Sequence, residues 1–264
     1  MKNILSNYNN FNNKTILITG ASGYIGKKTS IFLASLGASL ILIDKKKIDY
    51  VKDLNNLNCK YYFKKINLEN KVSRNRLYSW VENKKLNFDT LINNAAFVGT
   101  DKIKGWNVDF ENQSIETWRR VLELNLTSIF EICQKFKPIL SSNKNASIIN
   151  ISSIYDTMAP NADLYENTGI KNQAAYSVSK NGILHLTKWL AATCAPNIRV
   201  NSISPGGVAR NQNVIFKKKY IKKTLLKKMA SEEDIVASIF FLSSMLSNYI
   251  TGQNIRVDGG FGLS

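Results

Sequence analysis

The sequence predicts an α/β fold: one doubly wound parallel sheet of about seven strands with helices on both faces, in a single domain. Three observations point there. Short, wholly apolar runs such as Ile16-Leu17-Ile18 and Leu40-Ile41-Leu42-Ile43 read as strands covered on both faces. Stretches with helical periodicity separate these runs, which is the βαβ alternation. A glycine-rich turn joins the first run to the first helical stretch. At 264 residues and 44% hydrophobic content, the chain suffices for one sizeable core and is short for two full domains. No linker, repeat or low-complexity segment divides it. Residues 1–13 read as a polar, Asn-rich tail and residues 14–264 as the domain.

Thr15 to Ile18 is the first strand, and Thr19 to Gly26 the turn, leading into a helix that reaches about Leu36 and stops at Gly37. The second strand, Leu40 to Ile43, ends at Asp44; a third is expected at Tyr61 to Ile66 and a fourth at Thr90 to Ile92. Ser114 caps a long amphipathic helix whose apolar positions run from Ile115 through Trp118, Val121 and Ile129 to Phe136. Ser147 to Ile151 is the fifth strand. A helix over Ala174 to Ala192 and a strand over Arg199 to Ile203 follow. Ser231 with Glu232, Glu233 and Asp234 opens a further helix, since a serine cap and early acids complement its positive end. Gln253 to Val257 is the last strand.

Composition excludes several function classes. The longest apolar stretch, Leu33 to Ile43, is interrupted by Ser35, Gly37 and Ser39 and is too short to span a bilayer. The first residues, MKNILSNYNNFNNK, hold no hydrophobic segment of signal-peptide length, so a cytoplasmic protein without membrane association is expected. Cys59, Cys133 and Cys194 share no CxxC spacing, which argues against a disulfide framework or a metal site. His185 is the sole histidine, which excludes HExxH chemistry, and no GxSxG elbow is present. The net charge of +17 comes with 29 Lys, 7 Arg and 32 Asn, a compositional bias as much as a functional one. Its distribution is uneven: the 65 residues between Glu166 and Glu232 hold twelve Lys or Arg and no acid, and the remaining 199 residues carry +5. A regional field of this kind suits an anionic ligand, a polyanion or a membrane surface; a solvated basic face is the bland alternative.

The turn Gly20-Ala21-Ser22-Gly23-Tyr24-Ile25-Gly26 follows a strand and opens a helix, the setting of a Rossmann-type phosphate-binding turn. Gly20 permits the tight turn, Gly23 lets backbone approach a diphosphate, and Gly26 allows close helix–strand packing, with the helix N-terminus facing the phosphates. Asp44, at the end of the second strand, is placed to accept hydrogen bonds from a ribose diol, which favours NAD over NADP. Lys45, Lys46 and Lys47 are candidates to neutralise a 2′-phosphate and keep NADP open.

Tyr176 and Lys180 lie at i, i+4 on one helix face. Asn93-Asn94-Ala95, Ser152-Ser153 and Pro205-Gly206 each end a strand, and in a parallel sheet those ends share one edge, where ligands bind. From Lys14 to Gly260 the sequence resembles the short-chain dehydrogenase/reductase family in its compact, single-domain branch. The matching motifs are the TG-start turn, Asn93-Asn94-Ala95, Asn125, Ser153, Tyr176 with Lys180, Pro205-Gly206 and Val257-Asp258-Gly259-Gly260. The resemblance implies a nicotinamide-dependent oxidoreductase with catalytic Asn125, Ser153, Tyr176 and Lys180. A tyrosine with an ordinary pKa near ~10 is a poor base at neutral pH, and a nearby ammonium lowers it. By resemblance Lys180 does this and holds the nicotinamide ribose, Ser153 bonds the substrate oxygen, and Asn125 anchors a water leading to Lys180. The implied cofactor contacts are Gly20, Ser22, Gly23, Tyr24, Ile25 and Gly26 of the turn, Asp44, Asn67 with Leu68, Asn94 with Ala95, Tyr176 with Lys180, and Pro205, Gly206 and Val208.

Three departures from the family pattern stand out. The GxxGxxG turn is typical of the extended branch, Ala96 replaces a usual glycine, and Asn67 stands for a frequent Asp. Between Ser153 and Tyr176 lie about ten residues more than in similar compact members, and this insertion, anchored beside the site at both ends, makes Tyr155 and Tyr165 candidate substrate contacts. Arg210 is a third, in the segment after Pro205-Gly206 that covers the substrate in similar enzymes, together with Lys217, Lys218, Lys219, Lys222, Lys223, Lys227 and Lys228. The wording of the insertion resembles bacterial members near surface-glycan or flagellin-sugar pathways. The expected substrate is therefore an anionic or polar, carbohydrate-like alcohol or ketone. In similar enzymes the helices around Ser114 and Tyr176 pair between subunits, which implies a homotetramer or homodimer. Two alternatives remain open: a sugar-nucleotide epimerase or dehydratase with retained NAD, and a non-catalytic dinucleotide- or nucleic-acid-binding protein.

Overall fold

The computed structural model describes residues 11–98 and 102–263. Seven strands form one parallel sheet in the order β3-β2-β1-β4-β5-β6-β7. They are β1 (Thr15–Thr19), β2 (Ser39–Asp44), β3 (Tyr61–Lys65), β4 (Thr90–Asn93), β5 (Ala146–Ile151), β6 (Ile198–Pro205) and β7 (Asn254–Val257). Each boundary lies within two residues of the expected one, and the central strands β1, β2, β4 and β5, buried on both faces, are legible as largely apolar runs. The order reverses between β1 and β4, and that switch point opens a crevice at the carboxyl ends of the strands.

The helices are α1 (Tyr24–Ser35), α2 (Val51–Asn56), α3 (Lys71–Asn83), α4 (Ile115–Leu122), α5 (Ser128–Ser141), α6 (Ala162–Tyr165), α7 (Ala174–Cys194), α8 (Val214–Lys223) and α9 (Glu232–Ser243). Strand residues alternate between two cores. Leu17, Ile41, Leu91, Ile148 and Val200 pack with residues of α3, α4, α5 and α7. Ile16, Ile18, Leu40, Leu42, Ile149 and Ile203 pack with residues of α1 and α9 on the other face. Ser114 caps α4 through Thr117 N–H, and Ser231 with Asp234 forms a capping box on α9. Among the described residues no helix is long and apolar enough to cross a membrane.

Two expectations change. The helix expected unbroken from Ser114 to Phe136 is split by a π turn, Glu123–Thr127, with Asn125 at its centre. One extra residue in a turn leaves the apolar periodicity on either side intact, so the pattern does not reveal it. Phe11, inside the expected polar tail, is fully buried; its N–H donates to the Leu36 carbonyl and its ring lies 5.8 Å from that of Phe240. Residues 1–10 of that tail lie outside the described residues.

A buried guanidinium fixes the crevice wall on the β3 side. Arg74 of α3 is 1% exposed and bonds Glu123 at 2.5 Å, Glu131 at 2.7 Å and the Leu68 carbonyl at 2.7 Å. Removing either carboxylate would leave this buried guanidinium short of a partner, which is destabilising. Arg74 locks the loop carrying Asn67 and Leu68 to the helix pair that carries Asn125.

Candidate active site

The glycine turn lies at the switch point. Gly20 follows β1 with φ +68°, and a Cβ on it would sit 2.8 Å from both the Ala95 Cα and the Asn94 side-chain amide. A Cβ on Gly26 would fall 2.2 Å from the Gly20 carbonyl oxygen, so α1 packs against the turn backbone to backbone. Gly23 differs: a Cβ there would meet the Gly20 oxygen at 3.3 Å and no other described atom within 4 Å, which leaves its outer side open. The ends of β1 and β4 are sewn together. Asn94 N–H and Ala95 N–H donate to the Thr19 hydroxyl, and the Asn94 amide donates to the Thr19 and Gly20 carbonyls. Asp44 accepts from Ser22 N–H at 2.9 Å and Lys46 N–H at 2.8 Å, one bond per carboxylate oxygen, which leaves each oxygen a further lone pair. Asn67 accepts from Glu69 N–H through its oxygen, and its side chain is exposed. Pro205 ends β6, Gly206 N–H is held by the Val257 carbonyl, and Val208 bridges to Ala230. An open glycine turn at a helix N-terminus with a fixed carboxylate beside it fits a dinucleotide.

Across the crevice the structure brings Ser153, Tyr176 and Lys180 together. Of the serine pair, Ser152 donates its hydroxyl to the Lys180 carbonyl at 3.0 Å and is buried among backbone, whereas the Ser153 hydroxyl accepts from Tyr155 N–H at 3.3 Å and lies near enough to Tyr176 to lower its pKa. Lys180 is 3% exposed, donates to the Ile151 carbonyl at 2.8 Å, and holds its ammonium 5.7 Å from the Tyr176 ring centroid. Burial lowers its pKa to about 8, with the Asp156 carboxylate opposing the fall. Burial likewise raises the Tyr176 phenol; the Ser153 hydrogen bond pulls it down, and Tyr165 and Asp156 push it up.

Three tethers aim α7. Gln113 accepts from Ala174 N–H at 3.1 Å, capping the helix from another loop. A buried amide chain runs from Asn93 through Asn150 to the Thr187 hydroxyl, each step 2.9 Å. Asn125 accepts from Phe97 N–H at 2.8 Å and donates both amide hydrogens, to the Phe97 carbonyl and the Ser179 hydroxyl. Its side chain thus braces Ser179, the residue before Lys180. Asp156 is a site neighbour that the sequence did not mark. It is 1% exposed, accepts from the Ser204 hydroxyl and the Asn254 amide, and receives the Asn181 amide on its carbonyl. An acid three residues after Ser153, on the turn leaving the strand, was the available signal.

The insertion folds over the site. Tyr155 and Tyr165 are half-buried and hydrogen-bonded hydroxyl to hydroxyl, with the Asn172 amide donating to Tyr165 at 3.3 Å. Burial pushes both phenols up. Tyr165 stands 6.0 Å from Phe216 of α8, and Lys219 of α8 donates to the Asp163 and Glu166 carbonyls around the end of α6. Insertion and α8 thus form one lid. Arg210 is not brought to Tyr155 and Tyr165. Its guanidinium lies 4.3 Å from the centroid of Tyr24 and its Nε donates to Glu232, on the cofactor side of the crevice. Lys219 and Lys227 bond carbonyls, and Lys218, Lys222 and Lys228 are exposed. His185 is exposed on α7, while Cys133 and Cys194 are buried.

A family model described as Enoyl-(Acyl carrier protein) reductase matches residues 20–262. The chain is 34% identical to the post-translational flagellin modification protein A of Campylobacter coli, over 95% of this chain and 99% of that protein. It is 31% identical to the 3-oxoacyl-(acyl-carrier-protein) reductase FabG of Thermotoga maritima, over 94% and 97% respectively. A solved short chain dehydrogenase from Leptospira borgpetersenii serovar Hardjo-bovis with bound NAD+ is similar with a TM-score of 0.85 and 32% identity, over 99% of this chain and 96% of that one. On the seven-stranded sheet and these full-length matches, the chain belongs to the short-chain dehydrogenase/reductase family, a family of oxidoreductases.

Proposed function

We propose that the protein interconverts an alcohol and a ketone on a polar, anionic, carbohydrate-like substrate, with NAD as its cofactor. The observation that carries this reading is the buried Lys180 ammonium held 5.7 Å from the Tyr176 ring, facing an open glycine turn. The nicotinamide supplies or accepts the hydride when bound. The Tyr176 hydroxyl gives a proton to the substrate oxygen in reduction and takes it in oxidation. The Ser153 hydroxyl orients that oxygen. Lys180 would hold the ribose hydroxyls of a bound dinucleotide and keeps positive charge near the phenolate, and Asn125 acts as a positioning residue through Ser179.

The substrate class rests on three supports. Tyr155 and Tyr165, bonded hydroxyl to hydroxyl on the insertion that follows Ser153, offer a polar wall suited to a polyol. The exposed lysines of the lid set up a positive field. The Campylobacter coli relative is described as a flagellin modification protein. A panel of sugar phosphates, sugar acids and nucleotide sugars, read by NADH absorbance, is expected to yield an anionic best substrate. Its KM should rise with ionic strength, because charges more than roughly 10 Å apart are screened at 0.1 M salt. A neutral best substrate with a salt-insensitive KM contradicts this reading and leaves the lysines as a solvated face.

NAD is favoured over NADP because Asp44 is fixed at the end of β2 by two backbone bonds, where a 2′-phosphate meets like charge. The ammonium of Lys45, the neighbouring candidate to neutralise that phosphate, lies 5.1 Å from the Phe97 ring centroid. The expected kcat/KM is higher with NAD(H), and Asp44→Ala should narrow or reverse the ratio. A wild-type preference for NADP(H) contradicts the assignment. A homo-oligomer is part of the proposal: Phe130 on α5 and Val178 and Trp189 on α7 are 40%, 48% and 52% exposed, an apolar face without a partner in one chain. The GxxGxxG turn favours a second reading, an epimerase or dehydratase that retains NAD and shows no net redox change.

A further inference from the structure

Arg210 is placed and oriented beyond what packing requires. The backbone around it is fixed: Ala209 N–H donates to Ala230, Ala230 N–H to Gly207, and Arg210 N–H to the Gln212 side chain, which in turn bonds the Val208 carbonyl. Its guanidinium stacks 4.3 Å from the centroid of Tyr24, the first residue of α1, and its Nε donates to Glu232 at 3.0 Å. A guanidinium has five N–H donors. That bond uses one, and the two Nη groups have no hydrogen-bond acceptor among the described residues. Both lysines of α1 are already committed to carboxylates, Lys27 to Asp49 at 3.0 Å and Lys28 to Glu233 at 2.8 Å. Tyr24 itself is 66% exposed, next to the open side of Gly23. The result is a planar cationic fork, held from behind by a ring and a carboxylate, at the mouth of a helix N-terminus suited to phosphate.

We propose that Arg210 is a diphosphate clasp: it adds charge-assisted hydrogen bonds to the dinucleotide bound at the glycine turn and so pins the lid segment to α1. The proposal rests on the dinucleotide reading above. Glu232 is the competing anion for the same guanidinium, so the strength of the clasp is a balance between carboxylate and diphosphate. Because the contact is to the diphosphate, both nicotinamide and adenine ends of the cofactor should be indifferent to it.

The test is equilibrium binding to the full-length protein, followed by NADH fluorescence, with ADP-ribose and adenosine as competitors. Arg210→Ala should weaken NADH and ADP-ribose by about tenfold or more, the usual size of a lost charge-assisted hydrogen bond, and leave adenosine unchanged. Arg210→Lys, which keeps charge without the planar fork, should fall between. Glu232→Gln should tighten NADH a few-fold, and it reports on the clasp even if Arg210→Ala does not fold. NADH affinity unchanged in Arg210→Ala, ADP-ribose and adenosine weakened alike, or NADH no tighter in Glu232→Gln would each overturn the proposal. Wild-type protein that does not bind NADH would instead overturn the cofactor reading beneath it.

Discussion

Tyr176→Phe is expected to lower turnover by at least about 100-fold, the usual floor for loss of a general acid–base group, while NADH binds as it does to the wild type. The substitution removes one hydroxyl. It keeps the ring against the core cluster shared with α7, and it leaves Lys180 on the Ile151 carbonyl. The hydroxyl lies in a setting whose burial raises its pKa, with Ser153 pulling it down. Steady-state rates with NADH titrations on the same preparations separate the two effects. Near-wild-type turnover in Tyr176→Phe would remove the proton relay from the mechanism.

Gly26→Ala is expected to weaken NADH by at least about tenfold and to lower Tm by several degrees, since overpacking a tight contact costs about 1–3 kcal/mol. The added Cβ would lie 2.2 Å from the Gly20 oxygen and 3.0 Å from the Ala21 Cα, and both are backbone atoms with no side chain to swing aside. Relief requires α1 to move off the turn, which carries the helix N-terminus away from the phosphate position. Gly23→Ala provides the contrast. Its Cβ meets one atom at 3.3 Å, so it should lose NADH affinity with little change in Tm. Wild-type Tm and NADH affinity in Gly26→Ala would mean that the packing of α1 does not build the site.

Much of this was legible in the sequence, for a physical reason. Strands sealed between two helical layers are written as unbroken apolar runs, and their carboxyl ends bring Asn94, Ser153 and Pro205 to one edge. Helices were less legible. In α3 the core face is held by Arg74, Leu77 and Val81, and a buried guanidinium there hides the apolar stripe. The π turn at Asn125 leaves no periodic trace. Arg210 is near the lid lysines in sequence, whereas stacking on Tyr24 and pairing with Glu232 draw it to the opposite wall of the crevice. Lys219 is likewise a strut and not a free charge, since two carbonyls around the end of α6 occupy its ammonium. Both placements are set by long-range contacts, which local pattern does not encode.

The central claim is that hydride passes between a dissociable nicotinamide cofactor and a carbon of the substrate at the Tyr176 site. The most direct measurement supplies the protein with NADH deuterated at the transferable position and the best ketone from the substrate panel, then follows deuterium into the product. The account predicts many turnovers per chain, one NADH consumed per product, and deuterium on the carbinol carbon, all abolished in Tyr176→Phe. Product formed without net NADH consumption, with cofactor that stays bound through purification, would contradict it and favour the epimerase or dehydratase reading.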